Sequence, residues 1–390
     1  MNKPQRCFVC KDSFQEGHCF YRGLCFNCGE INYAKRNQTA NLQGLFALVT
    51  GARVKIGYAV TLRLLRAGAA VVAITRFARN AARRYAKEPD FCEWSDRLHV
   101  YELDLRYIAG IQRFAEHVIC CYPRLDIIVN NAAQTVRRPP EFYQHLRDFE
   151  ALPFEDLPAE IQRLLARSHF LTESVAEDIP KSIAESAPNR HSEIPTVFKM
   201  ERENQLSEPS DFSLFPAGMY DRDGQQLDLR PFNSWLMKDD EVSILELLEV
   251  HVINAIAPFA INSRLKRLMN NFPESCKYIV NVSSKEGQFN GNKPWRHPHT
   301  NMAKAALNMM TRTCASEYAK HKIFMNGVDP GWISFQHPYP QVLAMQQRGV
   351  QPPFDVVDAA ARICDPIYLG VNEGRYFYGK LFKDYAESQW

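Results

Sequence analysis

A glycine-containing turn between an apolar segment and a helical one narrows the folds open to this chain more than any other part of the sequence. The chain reads Leu-Phe-Ala-Leu-Val-Thr-Gly from Leu45 to Gly51, and a second glycine follows at Gly57. Apolar residues then recur at helical spacing up to Gly68, where a left-handed cap can end a helix. Glycines allow the backbone to approach a phosphate closely, and a helix start favours negative charge. The segment therefore predicts a strand–turn–helix unit that binds phosphate.

The segments that follow continue the alternation of strand and helix. Apolar strands are predicted over 69–75, 98–105 and 125–133, with a helix over 106–121. A final apolar helix over 355–369 and a strand over 376–381 would complete the unit. Strands that alternate with helices imply a parallel sheet covered on both faces. The predicted fold class is α/β, a doubly wound parallel sheet of Rossmann type.

Several short motifs occur in a fixed order along this pattern. They are the Thr50-Gly51 turn, Asp104-Leu105, Asn130-Asn131-Ala132-Ala133, Asn254, Ser284, Lys304 and Pro330-Gly331. In this combination the chain resembles the short-chain dehydrogenase/reductase family, over residues 42–133 and 241–380. The resemblance implies a nicotinamide dinucleotide cofactor and hydride transfer to or from a carbonyl or hydroxyl compound.

The resemblance also implies which residues contact the cofactor. The residues carried over are Thr50, Gly51, Arg53, Ile56 and Gly57 for the pyrophosphate, Asp104 and Leu105 for adenine, Asn130 and Ala132 for the adenosine side, and Pro330, Gly331, Ile333 and Ser334 for the nicotinamide. The residue after the second strand usually selects the cofactor, and here it is Arg76. A guanidinium suits a 2′-phosphate, whereas an acid would bind a free ribose hydroxyl. The sequence therefore favours NADP(H) over NAD(H), unless Arg76 is merely solvated.

The family's catalytic group is a serine, a tyrosine, a lysine four residues later and an asparagine on the preceding helix. By resemblance, Asn254, Ser284 and Lys304 match three of them, but Thr300 occupies the tyrosine position. An aliphatic hydroxyl ionises far less readily than a phenol, and threonine is shorter. Loss of a positioned acid–base group typically costs about 10²–10⁴ in rate. The proton-transfer site is therefore expected to be altered.

Other side chains could supply the missing proton. His299 and His297 lie directly upstream of Thr300, and histidine is the usual acid–base group near neutral pH. Both could instead be loop residues, and Tyr339 is a further candidate. The leading hypothesis is an oxidoreductase in which His299, or a water on Thr300, exchanges the proton. The alternative is a catalytically impaired cofactor-binding sensor or scaffold that binds a protein partner.

Five of the 11 cysteines lie in the first 28 residues. Cys7 and Cys10 form one Cys-x-x-Cys pair, and Cys25 and Cys28 form a second after 14 intervening residues. This spacing is typical of zinc ribbons, and four thiolates suit a closed structural zinc site. Zinc ribbons often bind nucleic acid or protein. The basic residues nearby are few, so capping of the neighbouring domain is favoured over nucleic-acid binding.

The predicted organisation is a zinc module over 1–40 and a Rossmann domain over 41–390, interrupted by an insertion over 134–240. The insertion is acidic, with 20 acidic and 12 basic side chains, and contains many prolines; a helix is predicted over 153–166. It would rise over the carboxyl ends of the strands, as a substrate lid, a partner surface or a loop. Its Arg137 and Arg138 could face the cleft.

The chain shows neither a signal-peptide pattern nor an apolar run of about 18 residues, so a cytoplasmic location without a membrane span is expected. With 46% hydrophobic residues there is ample material for a core. The family resemblance implies a homo-oligomer that pairs through helices over 241–270 and 300–321.

Overall fold

The computed structural model describes residues 4–177, 212–290 and 292–390. Its centre is an eight-stranded sheet, with a separate two-stranded hairpin near the N-terminus. The strands are β1 Gln5–Arg6, β2 Ser13–Phe14, β3 Phe46–Thr50, β4 Ala70–Thr75, β5 Leu98–Glu102, β6 Ile127–Asn130, β7 Lys277–Val282, β8 Ile323–Asp329, β9 Leu381–Lys383 and β10 Ala386–Ser388.

The central sheet has the order β10-β9-β8-β7-β6-β3-β4-β5. Every neighbouring pair from β5 to β9 is parallel, and only β10 runs antiparallel, against β9. The predicted doubly wound parallel sheet is therefore confirmed. The strand order reverses direction between β3 and β6, and this is the point at which open α/β sheets bind ligands.

Helices cover both faces of the sheet. They are α1 Phe26–Asn37, α2 Lys55–Arg66, α3 Ala78–Tyr85, α4 Phe91–Trp94, α5 Ile108–Cys121, α6 Gln144–Glu150, α7 Ala159–Glu177, α8 Ile244–His251, α9 Ala257–Met269, α10 Pro298–Ala319, α11 Tyr339–Gln347 and α12 Val356–Glu373. Helices α2 and α12 pack together on one face, and α5 and α9 on the other. Two separate apolar layers result, because side chains of each strand alternate between the faces.

Two predicted elements lie elsewhere than expected. The last parallel strand begins at Leu381 instead of 376, because the chain turns at Gly379 with a φ of +65°. The helix predicted over 153–166 begins only at Ala159. Pro158 precedes it, and a proline favours the start of a helix over its interior.

Helices α8 and α9 form one continuous rod through a π-helical turn, Val252–Ile256. The rod, Ile244–Met269, is long and apolar enough to cross a membrane by length and composition alone. Its most apolar stretch is 56% buried inside the protein. It packs on α5 and α10, as a core helix does.

The N-terminal module packs on α12. Tyr21 donates a hydrogen bond of 2.6 Å to Asp358, and Lys35 lies 2.6 Å from Asp365. Arg36 bonds both Asp355 and Asp358 at the start of α12. The module is thereby fixed to the Rossmann body through buried charges.

The described parts of the insertion divide between the main core and a cavity. Helix α7 packs against β5 and α3, with its buried face, including Ile161 and Leu164, in the main core. Residues 134–143 and 220–228 instead line a cavity over the sheet. Residues 178–211 of the insertion lie outside the described part of the chain.

Candidate active site

A cavity of about 740 Å³ runs along the carboxyl ends of the strands. Its wall contains these residues predicted from the sequence: Gly51, Arg53, Ile56, Gly57, Arg76, Asp104, Leu105, Ala132, Ile333 and Ser334. The glycine turn and the end of β4 form one part of the wall, and the segment after β8 another. The cavity wall therefore contains residues predicted for both ends of a dinucleotide site.

The glycine turn is shaped by close contacts. Gly51 has a φ of +70°, and a Cβ there would lie 2.9 Å from the Cα of Ala132. A Cβ on Gly57 would lie 2.2 Å from the carbonyl oxygen of Gly51. Lys55 also has a positive φ, +53°, which is costly for a residue with a side chain. The turn therefore requires both glycines for the backbone to fold this tightly.

Five predicted cofactor residues do not line the cavity: Thr50, Asn130, Lys304, Pro330 and Gly331. The hydroxyl oxygen of Thr50 accepts the N–H groups of Asn131 and Ala132. The side chain of Asn130 is 2% exposed and donates to Asn262 and Asn281 inside the sheet layer. Strand alternation turns the Asn130 side chain inward, and the next residue, Asn131, lines the cavity, so the contact of Asn130 with the ribose stays a prediction.

Positive charge gathers where the adenosine end is predicted. Arg76 donates 2.9 Å to the hydroxyl of Tyr143, over whose ring its guanidinium lies at 4.9 Å. Arg53 is 7% exposed and donates to Asn80, and burial together with Arg84 lowers the pKa of Arg53 to about 10. Among the described residues neither Arg53 nor Arg76 forms an ion pair. Both arginines therefore retain unneutralised charge beside the cavity.

Asp104, by contrast, is neutralised. Arg106 lies 2.6 Å from its carboxylate. Burial would raise the pKa of Asp104, but the bonds from Arg106 lower it overall. Asp104 is therefore ionised at neutral pH and paired with Arg106.

Lys304 lies deeper than the cavity wall. Its ammonium donates 2.7 Å to the carbonyl oxygen of Val282, and burial lowers its pKa to about 8. Ser284 follows the end of β7 and is half-buried. Neither residue lines the cavity.

Asn254 lies in the π-helical turn and is 1% exposed. Its amide accepts 2.8 Å from the N–H of Gln134 and donates 2.8 Å to the carbonyl of the same residue. These two hydrogen bonds fix the start of the insertion to the helix rod. Asn254 thus holds the wall of the cavity in place at Gln134.

His299 and Thr300 converge on the carbonyl oxygen of Thr135, which lines the cavity. The Nε2 of His299 lies 3.3 Å from that oxygen, and the hydroxyl of Thr300 lies 3.5 Å from it. A carbonyl only accepts, so Nε2 carries the hydrogen and Nδ1 is free to accept. Within the described part of the chain Nδ1 has no partner, and burial lowers the pKa of His299.

The two other candidate proton donors, His297 and Tyr339, lie in different surroundings. His297 stacks on Trp235 with ring centroids 3.8 Å apart, and its Nδ1 lies 2.9 Å from the carbonyl of that residue. It thus fastens the end of the insertion to the start of α10. Tyr339 lines the cavity at the start of α11.

The sequence indicated that Arg137 and Arg138 could face the cleft, and Arg138 lines the cavity, but the cavity residues from the loop 220–228 were missed. Arg222 donates 3.4 Å to the carbonyl of Ile333, and Asp223 lies 3.9 Å from Lys55. Arg84 donates to the backbone of Asp223. The loop 220–228 therefore bridges the glycine turn and the nicotinamide segment. No periodic pattern in the sequence indicates this placement.

The four cysteines predicted to bind metal come together. The sulfur atoms of Cys7, Cys10, Cys25 and Cys28 lie within 4.8 Å of one another. In a tetrahedral zinc–thiolate site the sulfurs are about 3.8 Å apart, given Zn–S distances of about 2.3 Å. Gly29 follows the second pair, and a Cβ there would lie 2.2 Å from the ring of His18. The donor set and its spacing fit zinc.

Comparison with known families identifies the class of protein. A family model described as short chain dehydrogenase matches residues 45–155. A second, described as enoyl-(acyl carrier protein) reductase, matches residues 237–342. The chain therefore belongs to the short-chain dehydrogenase/reductase family.

Individual relatives match over different lengths. An uncharacterized protein of Acanthamoeba polyphaga mimivirus is 31% identical over 374 residues, 93% of this chain and 71% of the viral protein. The NADP-dependent 3-hydroxy acid dehydrogenase of Escherichia coli O6:H1 is 29% identical over 108 residues, 28% of this chain and 41% of that protein. The similarity along nearly the whole chain is thus to a protein whose name carries no activity.

Solved structures show the same fold. A short-chain dehydrogenase from Burkholderia cenocepacia in complex with NADP has a TM-score of 0.53 at 18% identity, over 88% of this chain and 96% of that one. The Pseudomonas aeruginosa RhlG/NADP active-site complex has a TM-score of 0.52 at 18% identity, over 88% of this chain and 95% of that one.

Proposed function

We propose that this protein is an NADP(H)-dependent oxidoreductase that interconverts a carbonyl and a hydroxyl compound. The observation that carries the proposal is the single cavity wall that contains the glycine turn, Arg76 and Ile333. NADP(H) is favoured over NAD(H) because Arg76 and Arg53 have no carboxylate partner among the described residues. The NADP complexes of the similar solved structures support the same choice.

The bound nicotinamide would supply or accept the hydride. Around it, Ser284 would orient the substrate oxygen and Lys304 would hold the ribose, while Asn254 keeps Gln134 in place. Proton exchange falls to His299, whose free nitrogen would accept the proton when an alcohol is oxidised and return it when a carbonyl is reduced, or to a water held by Thr300. The small-molecule substrate would enter beside the insertion residues that line the cavity.

A turnover assay tests this proposal. Oxidation of NADPH is followed with a panel of aldehydes and ketones, using wild type, Ser284→Ala and His299→Gln. A positioned hydroxyl or acid–base group is worth about 10²–10⁴ in rate, so each variant should lose about that factor in kcat. The proposal is abandoned if wild-type protein binds NADPH but turns over none of the compounds.

A second function, a cofactor-binding sensor or scaffold, is favoured by one observation. Lys304 is bonded to a backbone carbonyl behind the cavity wall, and Thr300 offers only a short aliphatic hydroxyl. In this case the N-terminal module or the insertion would bind a protein partner, and NADPH would change the affinity. A pull-down whose yield is the same with and without NADPH would count against the sensor.

We also propose that the cysteine module binds one structural zinc through Cys7, Cys10, Cys25 and Cys28. The compact donor set supports zinc, and four thiolates leave no open position for a substrate. Elemental analysis of purified protein should give one zinc per chain, and the Cys10→Ser variant should contain no zinc. We place the protein in the cytoplasm, where reduced thiols are available for metal.

A further inference from the structure

We infer that the cysteine module positions the segment that binds the cofactor's nicotinamide end, and that Phe8 is the positioning residue. Phe8 lies between the two cysteines of the first pair, Cys7 and Cys10. Its ring is 6.3 Å from that of Trp332 and 5.7 Å from that of Phe354. This inference builds on the proposed cofactor site but assigns a new role to the module.

The contact continues from Trp332 into the cavity wall. The indole N–H of Trp332 donates 3.1 Å to the carbonyl of Ser334. Ile333, which is 5% exposed, belongs to the same apolar cluster as Cys7, Leu24 and Phe354. Ile333 and Ser334 both line the cavity. One row of contacts therefore joins the cysteine cluster to the nicotinamide segment.

The nicotinamide segment depends on such packing because it has little structure of its own. Between the end of β8 at Asp329 and the start of α11 at Tyr339 there is neither strand nor helix. Gly331 donates its N–H to the side chain of Asp329, and Asn233 of the insertion donates to Gln336. A loop held mainly by side-chain contacts takes its conformation from what it packs against.

The module in turn depends on its cysteines. Its hairpin β1–β2 has only two residues per strand, and such short segments have too little core to fold alone. Metal would fix Cys7 and Cys10, and with them the backbone that carries Phe8. Arg76 and Arg53 do not belong to this cluster, but Ile56 of the glycine turn packs against it. The effect should therefore be largest in the nicotinamide half.

The test compares two ligands on full-length, zinc-loaded protein by calorimetry. NADPH spans the whole cavity, whereas 2′,5′-ADP carries only the adenosine half. Phe8→Ala should lower the affinity for NADPH by about tenfold or more and keep the affinity for 2′,5′-ADP within about twofold of wild type. Phe8→Leu should restore most of the loss. Phe26→Ala is the matched control, because Phe26 is in the same module but 62% exposed.

Metal removal provides an independent readout. Chelation should reproduce the selective loss of NADPH affinity, and added zinc should reverse it. Should Phe8→Ala not fold, Trp332→Phe decides, since it keeps an aromatic ring beside Phe8 and removes the N–H that is donated to Ser334. Equal affinities in wild type and variants overturn the inference. A wild-type protein that binds neither ligand would instead overturn the proposed cofactor site.

Discussion

At position 300 this chain has a hydroxyl that cannot replace a phenol as an acid. The hydroxyl of Thr300 ionises far less readily than the phenol of a tyrosine, whose ordinary pKa is near 10. Its neighbour His299 is buried and neutral, with Nδ1 unpartnered among the described residues. A neutral imidazole can act as a base, whereas the hydroxyl of threonine cannot act as the acid. Proton transfer at the site therefore depends on whether His299 or Thr300 reaches the substrate.

The choice of cofactor rests on Arg76. Replacing Arg76 with alanine removes a charged donor for the 2′-phosphate, and such bonds are worth about 1.5–3 kcal/mol. The affinity for NADPH should fall about 10–100-fold, while that for NADH stays the same. Calorimetry with both cofactors measures this, and Arg113→Ala, an exposed arginine on α5, is the control. Equal losses for both cofactors would refute the assignment.

Because of Lys304, the free energy of unfolding should depend on pH in the alkaline range. Its pKa is about 8 when folded and near 10.5 when unfolded, because burial disfavours the charge. Between these values the unfolded chain binds more protons, so the free energy of unfolding rises with pH. Relative to Lys304→Met, wild type should gain up to about 3 kcal/mol between pH 8 and 10.5. Urea unfolding of cofactor-free protein measures the gain, and a flat difference would contradict the burial.

At the scale of elements, the start of α12 joins the module to the domain. Asp355 caps the helix, and its side chain and that of Asp358 form a capping box. Arg36 from α1 bonds both carboxylates. The same two acids thus cap the start of α12 and hold α1 against it.

Arg36→Met should therefore destabilise the protein by about 1–3 kcal/mol at pH 7, a value discounted because Asp355 is half-exposed. Burial raises the pKa of Asp355, but the bond from Arg36 lowers it overall. The stabilisation is present above the unfolded pKa, near 3.8, and is lost as pH falls through the lower folded value. Chemical unfolding at several pH values, with Arg264→Met as an exposed control, tests this.

At the scale of the whole molecule, the rod and α10 leave large apolar side chains exposed. They are Ile244, Leu248, Ile256, Phe259, Met302 and Met309. Contiguous exposed apolar side chains generally mark an interface. We expect a homo-oligomer that pairs through these helices.

Analytical ultracentrifugation checks the oligomer. Wild type should sediment as a dimer or tetramer, and Phe259→Glu together with Met309→Glu should give a monomer, because a charge buried in an apolar interface is costly. Ile31→Glu places the same charge on an exposed apolar residue of α1 and should change nothing. A wild-type monomer at micromolar concentration would disprove the interface.

Local patterns predicted most of the sheet and part of the site. The runs before Thr50 and Thr75 are apolar on both faces, which marks buried parallel strands. The glycines, Arg76 and Ile333 could be placed from their position at strand ends. Asn130 could not, because one residue of register decides whether its amide faces the cavity or the core.

What the sequence by itself determined was the alternation of strand and helix, the phosphate turn and the four paired thiols, since each is fixed by neighbours a few residues away. Only the tertiary structure decided that the loop 220–228 closes over the cavity and that Phe8 packs on Trp332. These contacts join residues more than 100 positions apart. They arise from shape and charge that appear only once the sheet has formed.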